Sequence, residues 1–315
     1  MNGMNAINQS TSNYKRRKVL KPIFRNRYLY LMLVPGVLFF IIFSYVPMGG
    51  LIIAFKNYNI FKGMLASEWT GFDNFREIFG MPDFWKVLRN TLIISTYKIV
   101  FSFPFPIILA LLLNEMRRER FKKLTQTILY LPHFISWVVI WGVMQSILSP
   151  SFGITHDIFK LLGMESVYIM ADPKYFRGLL VISDMWKGVG WGTIIYLASL
   201  STVDQNICEA AIVDGAGRWK RMRYIMLPSI SNVIILLLIL RIGSIMEAGF
   251  DQVYVLRNDM VKEVGEIFDT YVYTFIAYNQ YSLGTAVGMF KSVVAAFLIV
   301  TADRVSKLFG TEGLF

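Results

Sequence analysis

Apolar and polar positions fall in long blocks along this chain, not in the two-residue rhythm of a half-buried strand. Six apolar stretches, at residues 28–55, 88–113, 124–148, 179–200, 226–250 and 283–308, alternate with polar connectors. At about 1.5 Å of rise per helical residue, each is long enough to cross a hydrocarbon layer of roughly 30 Å. The pattern predicts an all-α polytopic membrane protein with six transmembrane helices, which puts both termini on one side. The first stretch follows a basic block but is too long for a leader and lacks a small-x-small cleavage site, so it reads as a retained span. Pro35 and Pro47 near its ends predict bends. The connector that follows, with Asn57-Tyr58-Asn59 and then Trp69-Thr70-Gly71-Phe72-Asp73-Asn74-Phe75, reads as an ordered segment at a membrane interface.

Charge gives the bundle an orientation. Of 32 Lys and Arg, eighteen lie in the segments 1–27, 114–123, 201–225 and 304–315, nine lie in the opposite connectors, and five lie inside the spans. The side richer in basic residues is cytoplasmic, so both termini and the 201–225 connector are expected inside the cell membrane. The resulting organisation is a basic cytoplasmic tail (1–27), a first span with an outer interfacial segment (28–87), a helical core (88–308) and a cytoplasmic C-terminus (309–315). A net charge of +11 does not indicate nucleic acid here, because the basic residues sit in short blocks beside apolar stretches. The single cysteine, Cys208, excludes an internal disulfide, and His133 and His156 give no metal-ligand spacing.

The 201–225 connector is the most informative polar stretch. Thr202-Val203-Asp204-Gln205 reads as a helix start with Thr202 as the cap, and Gly215 supplies a left-handed stop. Between them Ala210, Ala211, Ala216 and the glycines present little side chain, so another backbone can approach closely. Glu209 offers a charge, and Arg218, Lys220, Arg221 and Arg223 can face anionic headgroups or an acidic partner edge. The order Glu209-Ala210-Ala211, three residues, Gly215, nine residues, Ile225-x-Leu227-Pro228 resembles the cytoplasmic coupling signature of ABC importer permeases. With Leu131-Pro132 and Asp184-Met185-Trp186-Lys187-Gly188, the chain is similar to binding-protein-dependent type I importer membrane subunits of the carbohydrate class. That class includes the larger maltose permease subunit and the lipoprotein/polysaccharide-uptake permeases.

The resemblance implies a type I permease bundle with a coupling helix at 203–217, in which Glu209, Ala210, Ala211, Asp214, Gly215 and Gly217 meet an ATPase. It implies a second permease, a different chain by the family's habit, two ATPase subunits and an extracellular solute-binding protein, with alternating access driven by ATP. No G-x-x-x-x-G-K-[ST] occurs in the sequence, so ATP and Mg are expected on the partner and no cofactor on this chain. The maltose-type sugar-binding motifs fall on His133, Trp137, Asp184, Trp186, Gly188 and residues 246–249, Glu247 among them. Only Trp186 and Gly188 keep the residue type, and an acid replaces the family's Asn at 184, so a solute other than maltose is expected. The maltose subunit's large outer domain has no counterpart here.

Ionisable residues inside the apolar stretches are costly unless paired or hydrated. Lys98, Lys187, Arg241 and Lys291 together suggest a positive pathway suited to an acidic oligosaccharide; the competing reading, slightly favoured, is that they neutralise Asp184, Glu247 and acids of the partner. Arg89 reads as a snorkelling residue at a span end, and Arg241 and Glu247, six apart, do not share a helix face. Two other functions remain compatible with six spans: the same architecture carrying a small osmolyte or peptide, and a membrane transferase using Asp184, His133 and Glu247. The scattered acids argue against the transferase, and no catalytic residue is assigned.

Overall fold

The computed structural model of the protein describes residues 26–308. The expected basic tail up to residue 25 and the C-terminus from residue 309 lie outside the described residues. The chain divides into two units, residues 1–53 with 58–68, and residues 54–57 with 69–315.

Helix α1 (Arg27–Phe55) makes up most of the described part of the first unit, its last two residues belonging to the second, and every residue from Arg27 to Gly49 is exposed. Such an apolar, uncovered surface needs lipid or protein against it. Ser67 closes the short turn that follows, donating to Gly63 O at 2.7 Å and accepting from Asn59 N at 3.0 Å.

The second unit opens with an aromatic cluster of Phe55, Trp69, Phe72 and Phe75, with Phe55 and Trp69 stacked at 5.9 Å. Asn74 fixes the strand before it by donating to the carbonyls of Ala54 and Lys56 at 2.9 and 3.0 Å. Asn74 begins the short helix α2 (Asp73–Gly80) with Asp73, so the expected interfacial segment is ordered. Next come α3 (Pro82–Asn114), α4 (Glu119–Tyr130), a 3-10 turn at Leu131–Phe134, α5 (Trp137–Leu148), α6 (Ile154–Leu161) and α7 (Pro173–Leu200). The remaining helices are α8 (Gln205–Val213), α9 (Arg218–Ser229), α10 (Ser231–Gly243), α11 (Phe250–Leu256), α12 (Lys262–Gly265), α13 (Phe268–Ala277) and α14 (Tyr281–Leu308).

Helix α7 is the centre of this unit, packed along the C-terminal half of α3 and against α4, α11 and α12. Its glycines set the approach. A Cβ on Gly190 would lie 2.0 Å from Leu129 O, and one on Gly192 would meet the Pro106 ring at 3.1 Å. Three buried clusters line up along the bundle. One joins α2, α3, α13 and α14 through Ile78, Phe84, Phe268 and Val287; a second joins α3, α7 and α11 through Ile94, Phe176, Leu180 and Val253. The third, built on Ala110, Tyr196, Leu200, Met222 and Met226, supports α8 through Cys208.

Among the described residues three helices, α1, α3 and α14, are long and apolar enough to cross a membrane, and five spans result if each of two bent pairs counts as one. The expected fourth span, α7, is not among these five: it has the length at 28 residues, but Arg177, Asp184, Lys187 and its glycines hold down its hydropathy. The expected third span is two helices meeting at 101°. Pro132 has no N–H to continue the α-helical ladder, and Ile135 is extended before Ser136 caps α5 through Val139 N at 3.3 Å. The expected fifth span also breaks, with α9 and α10 bent by 62° and an irregular connector at 244–249 before α11.

Three π turns share one cause. Ile41–Tyr45, Lys98–Ser102 and Met222–Met226 each end two residues before a proline, Pro47, Pro104 or Pro228. The residue preceding each proline donates its N–H five residues back, to Ile41, Lys98 or Met222 O. Widening the turn spares the proline ring its clash with the carbonyl four residues earlier.

Gly190→Ala is expected to destabilise the folded chain by about 1–3 kcal/mol, because the new methyl meets backbone that cannot yield. Gly178→Ala in the same helix, with open space at its Cβ, is expected to be neutral or slightly stabilising. Thermal unfolding of the two variants in detergent distinguishes them.

Candidate functional site

The α8 loop is built by its own backbone. Thr202 is not the cap: its hydroxyl donates to Ser199 O at 2.8 Å and so finishes α7. Asp204 caps instead, its carboxylate accepting from Asn206 N at 2.9 Å. The stop falls where the sequence puts it. Gly215 has φ +79°, its N–H reaches Ile212 O at 3.0 Å, and Ala216 N reaches Ala211 O at 2.8 Å, a complete Schellman closure. Cys208 is buried against the bundle, while Ile207, Ile212 and Val213 stay exposed beside Glu209, Ala210 and Asp214. Among the described residues the Glu209 carboxylate has no partner. Ala211 is half-buried, and Gly217 caps α9. The helix thus turns apolar side chains and two acids, Glu209 and Asp214, outward.

The basic residues after α8 are not equivalent. Arg221 does not face outward; it is half-buried and donates to both carboxylate oxygens of Glu115, at 2.9 and 3.2 Å. Arg218 stands 3.9 Å from the same carboxylate. Lys220 and Arg223 have no acidic partner among the described residues.

A second cluster sits at the middle of the bundle, where the 244–249 connector interrupts the helices. Lys98, at the π turn of α3 and only 2% exposed, donates to Asp184 Oδ1 at 3.1 Å, Ala248 O at 2.8 Å and Gln252 Oε1 at 2.5 Å. Gln252 in turn donates to Leu180 O and Ser183 Oγ, at 2.7 and 2.8 Å. Gly249 closes the knot, with φ +97° and a Cβ position only 3.0 Å from Lys98 Nζ. Thus Lys98 is a structural ion-pair member, as is Lys291, which pairs with Asp269 of α13. Sequence reasoning missed Ser183, Gln252 and Asp269. Ser183 and Gln252 lie near the ends of apolar stretches, where a polar residue carries no periodicity signal, and Asp269 lies within the connector that follows the fifth stretch.

A third cluster covers the α4–α5 bend. Lys187 Nζ donates to His133 O at 2.7 Å and to Ile135 O, and lies 5.6 Å from the Trp137 ring centre. His133 stacks on Trp191 at 4.5 Å. The candidates therefore separate: His133 and Trp137 gather around Lys187, and Asp184 joins Lys98. Trp186, half-exposed, lines an apolar groove of about 260 Å³ with Ile135, Val139, Val143 and Ile182. Gly188 has open space at its Cβ, and Glu247 is exposed in the connector, one residue from the carbonyl that Lys98 holds. Arg89 and Arg241 have no acidic partner among the described residues, and Arg241 lies close enough to Lys98 to repel it.

Residues 102–310 match the family described as binding-protein-dependent transport system inner membrane component. The chain is 48% identical to Protein LplB of Bacillus subtilis (strain 168), over 92% of each chain. It is 44% identical to the polygalacturonan/rhamnogalacturonan transport system permease protein YteP of the same organism, over 96% of this chain and 94% of that one. A crystal structure of a bacterial alginate ABC transporter, in complex with an alginate pentasaccharide-bound periplasmic protein, contains a chain that superposes with a TM-score of 0.85 at 37% identity, covering 93% of this chain and 99% of that one.

Lys98→Met strands the Gln252 and Ala248 oxygens and is expected to cost about 3–5 kcal/mol. Asp184→Asn keeps an acceptor on a partly exposed side chain and is expected to cost clearly less. Comparison of their melting temperatures in detergent tests the order.

Proposed function

The chain belongs to the family of binding-protein-dependent transport system inner membrane components, and on that premise we propose that it forms half of the pathway for an acidic, uronate-bearing oligosaccharide. The observation that carries the substrate class is the company it keeps at high coverage. One relative is named for polygalacturonan and rhamnogalacturonan transport, and the superposed structure belongs to an alginate importer. The charge distribution supports the same reading. Lys98 and Lys291 are neutralised within the chain, which leaves Lys187, held by carbonyls alone, and Arg89 and Arg241 with positive charge not cancelled by any described carboxylate. Unpaired guanidinium groups suit carboxylates, which they bind in a fork geometry. His133, Trp137, Asp184, Trp186, Gly188 and Glu247 are the proposed pathway residues, with Trp186 offering an exposed ring to a sugar face.

In this reading six spans cross the membrane, α7 being the fourth, with both termini and α8 on the cytoplasmic side. Glu209, Ala210, Ala211, Asp214, Gly215 and Gly217 form the face that meets an ATPase subunit, where ATP and Mg are bound and hydrolysed. A second permease completes the pathway, and an extracellular binding protein delivers the solute. The membrane-transferase alternative loses one of its two acids, because Asp184 is committed to Lys98.

Two outcomes are expected. In vesicles containing the complete importer, labelled oligogalacturonate is taken up with at least about tenfold preference over a neutral maltooligosaccharide of equal length; equal uptake removes the substrate class. Glu209→Lys, and Gly215→Val, whose left-handed backbone costs a branched residue about 1–2 kcal/mol, leave membrane insertion intact but reduce uptake to background and weaken ATPase co-purification. Full uptake by both variants refutes the coupling role of α8.

A further inference from the structure

At the α8 end of the bundle, two grooves share a wall. The first, of about 390 Å³, is lined by Glu115, Arg117, Arg118, Phe121, Arg218 and Trp219; the second, of about 360 Å³, by Ile108, Leu111, Leu112, Arg223 and Leu227. Leu112, Trp219 and Met222 border both. One chamber is basic and the other apolar, and the apolar one runs along the last turns of the membrane-crossing helix α3. The single carboxylate in the basic chamber is already taken by Arg221. Arg117 and Arg118 have no partner among the described residues, and Arg218 touches the same Glu115 only at 3.9 Å. Trp219, 76% exposed, stands on the boundary between the chambers.

We infer that this double groove holds one anionic phospholipid, its phosphate among Arg117, Arg118 and Arg218 and an acyl chain along Ile108, Leu111, Leu112 and Leu227. The chemistry fits at both ends. Guanidinium groups take a phosphate by paired hydrogen bonds, and basic pockets beside membrane helices select anionic headgroups. Trp belongs at the depth where headgroup meets acyl chain. A soluble protein edge would satisfy the arginines but leave the apolar chamber open, and a free phosphate would do the same. The site needs only that α3 crosses a membrane; it does not depend on the solute carried.

The test is retention of lipid by the intact importer complex, with native mass spectrometry after exchange into detergent containing equal dioleoylphosphatidylglycerol and dioleoylphosphatidylcholine. One phosphatidylglycerol is expected to stay with this chain in about tenfold preference. Arg117→Gln/Arg118→Gln/Arg218→Gln is expected to abolish the preference, and Leu112→Trp, which fills the shared wall without changing charge, is expected to lower retention. Folding of each variant is controlled by its assembly into the complex. Four results overturn the inference: equal retention of both lipids, displacement of the lipid by millimolar glycerol phosphate, retention unaffected by either variant, or lipid found only after the ATPase subunits are stripped away. The last would assign the arginines to a protein edge.

Discussion

A backbone carbonyl inside a bilayer has no water to turn to, and most of this structure follows from that. At two of the helix breaks, a side-chain donor arrives from another element. Lys187 covers the carbonyls of the α4–α5 bend, and Lys98 that of Ala248 in the connector after α10. At the far end of the core, Asn90 donates to Glu263 O, Arg177 to Val264 O and Asn258 to Met170 O. Broken helices are tolerated in a membrane only on these terms. Breaks and charges are linked here, since Lys98, Lys187 and Arg177 each sit where a carbonyl would otherwise be bare.

This division sorts the intramembrane cations without reference to a solute. Lys98, Lys187 and Lys291 are occupied by carbonyls or carboxylates of their own chain. Arg89 and Arg241 are not so occupied among the described residues. Cations that brace the fold and arginines without a described acidic partner are thus different residues.

The six apolar stretches and the stop at Gly215 were legible because each rests on local physics: length against bilayer thickness, and the backbone freedom of glycine. The breaks within the third and fifth stretches were not. Their residues are as apolar as an unbroken span, and the compensation for each break comes from residues far away in sequence, Lys187 for Ile135 and Lys98 for Ala248. The same distance hid Gln252, whose partners Leu180 and Ser183 lie some seventy positions earlier. Thr202 misled for a nearer reason, as two capping side chains two residues apart compete and the carbonyls at the end of α7 claim the first.

The π turn at Lys98–Ser102 has a geometric consequence for α3. In a regular helix each residue turns about 100°, so positions 19 apart would face directions about 100° apart. Thr91 and Ala110 are such a pair, as are Ile94 and Leu113, yet all four are buried. One inserted residue removes that offset and leaves an effective separation of five whole turns. The proline at 104 thus brings the two halves of a 33-residue helix into phase, so that a single stripe faces the protein from the Lys98 knot to the wall beneath α8.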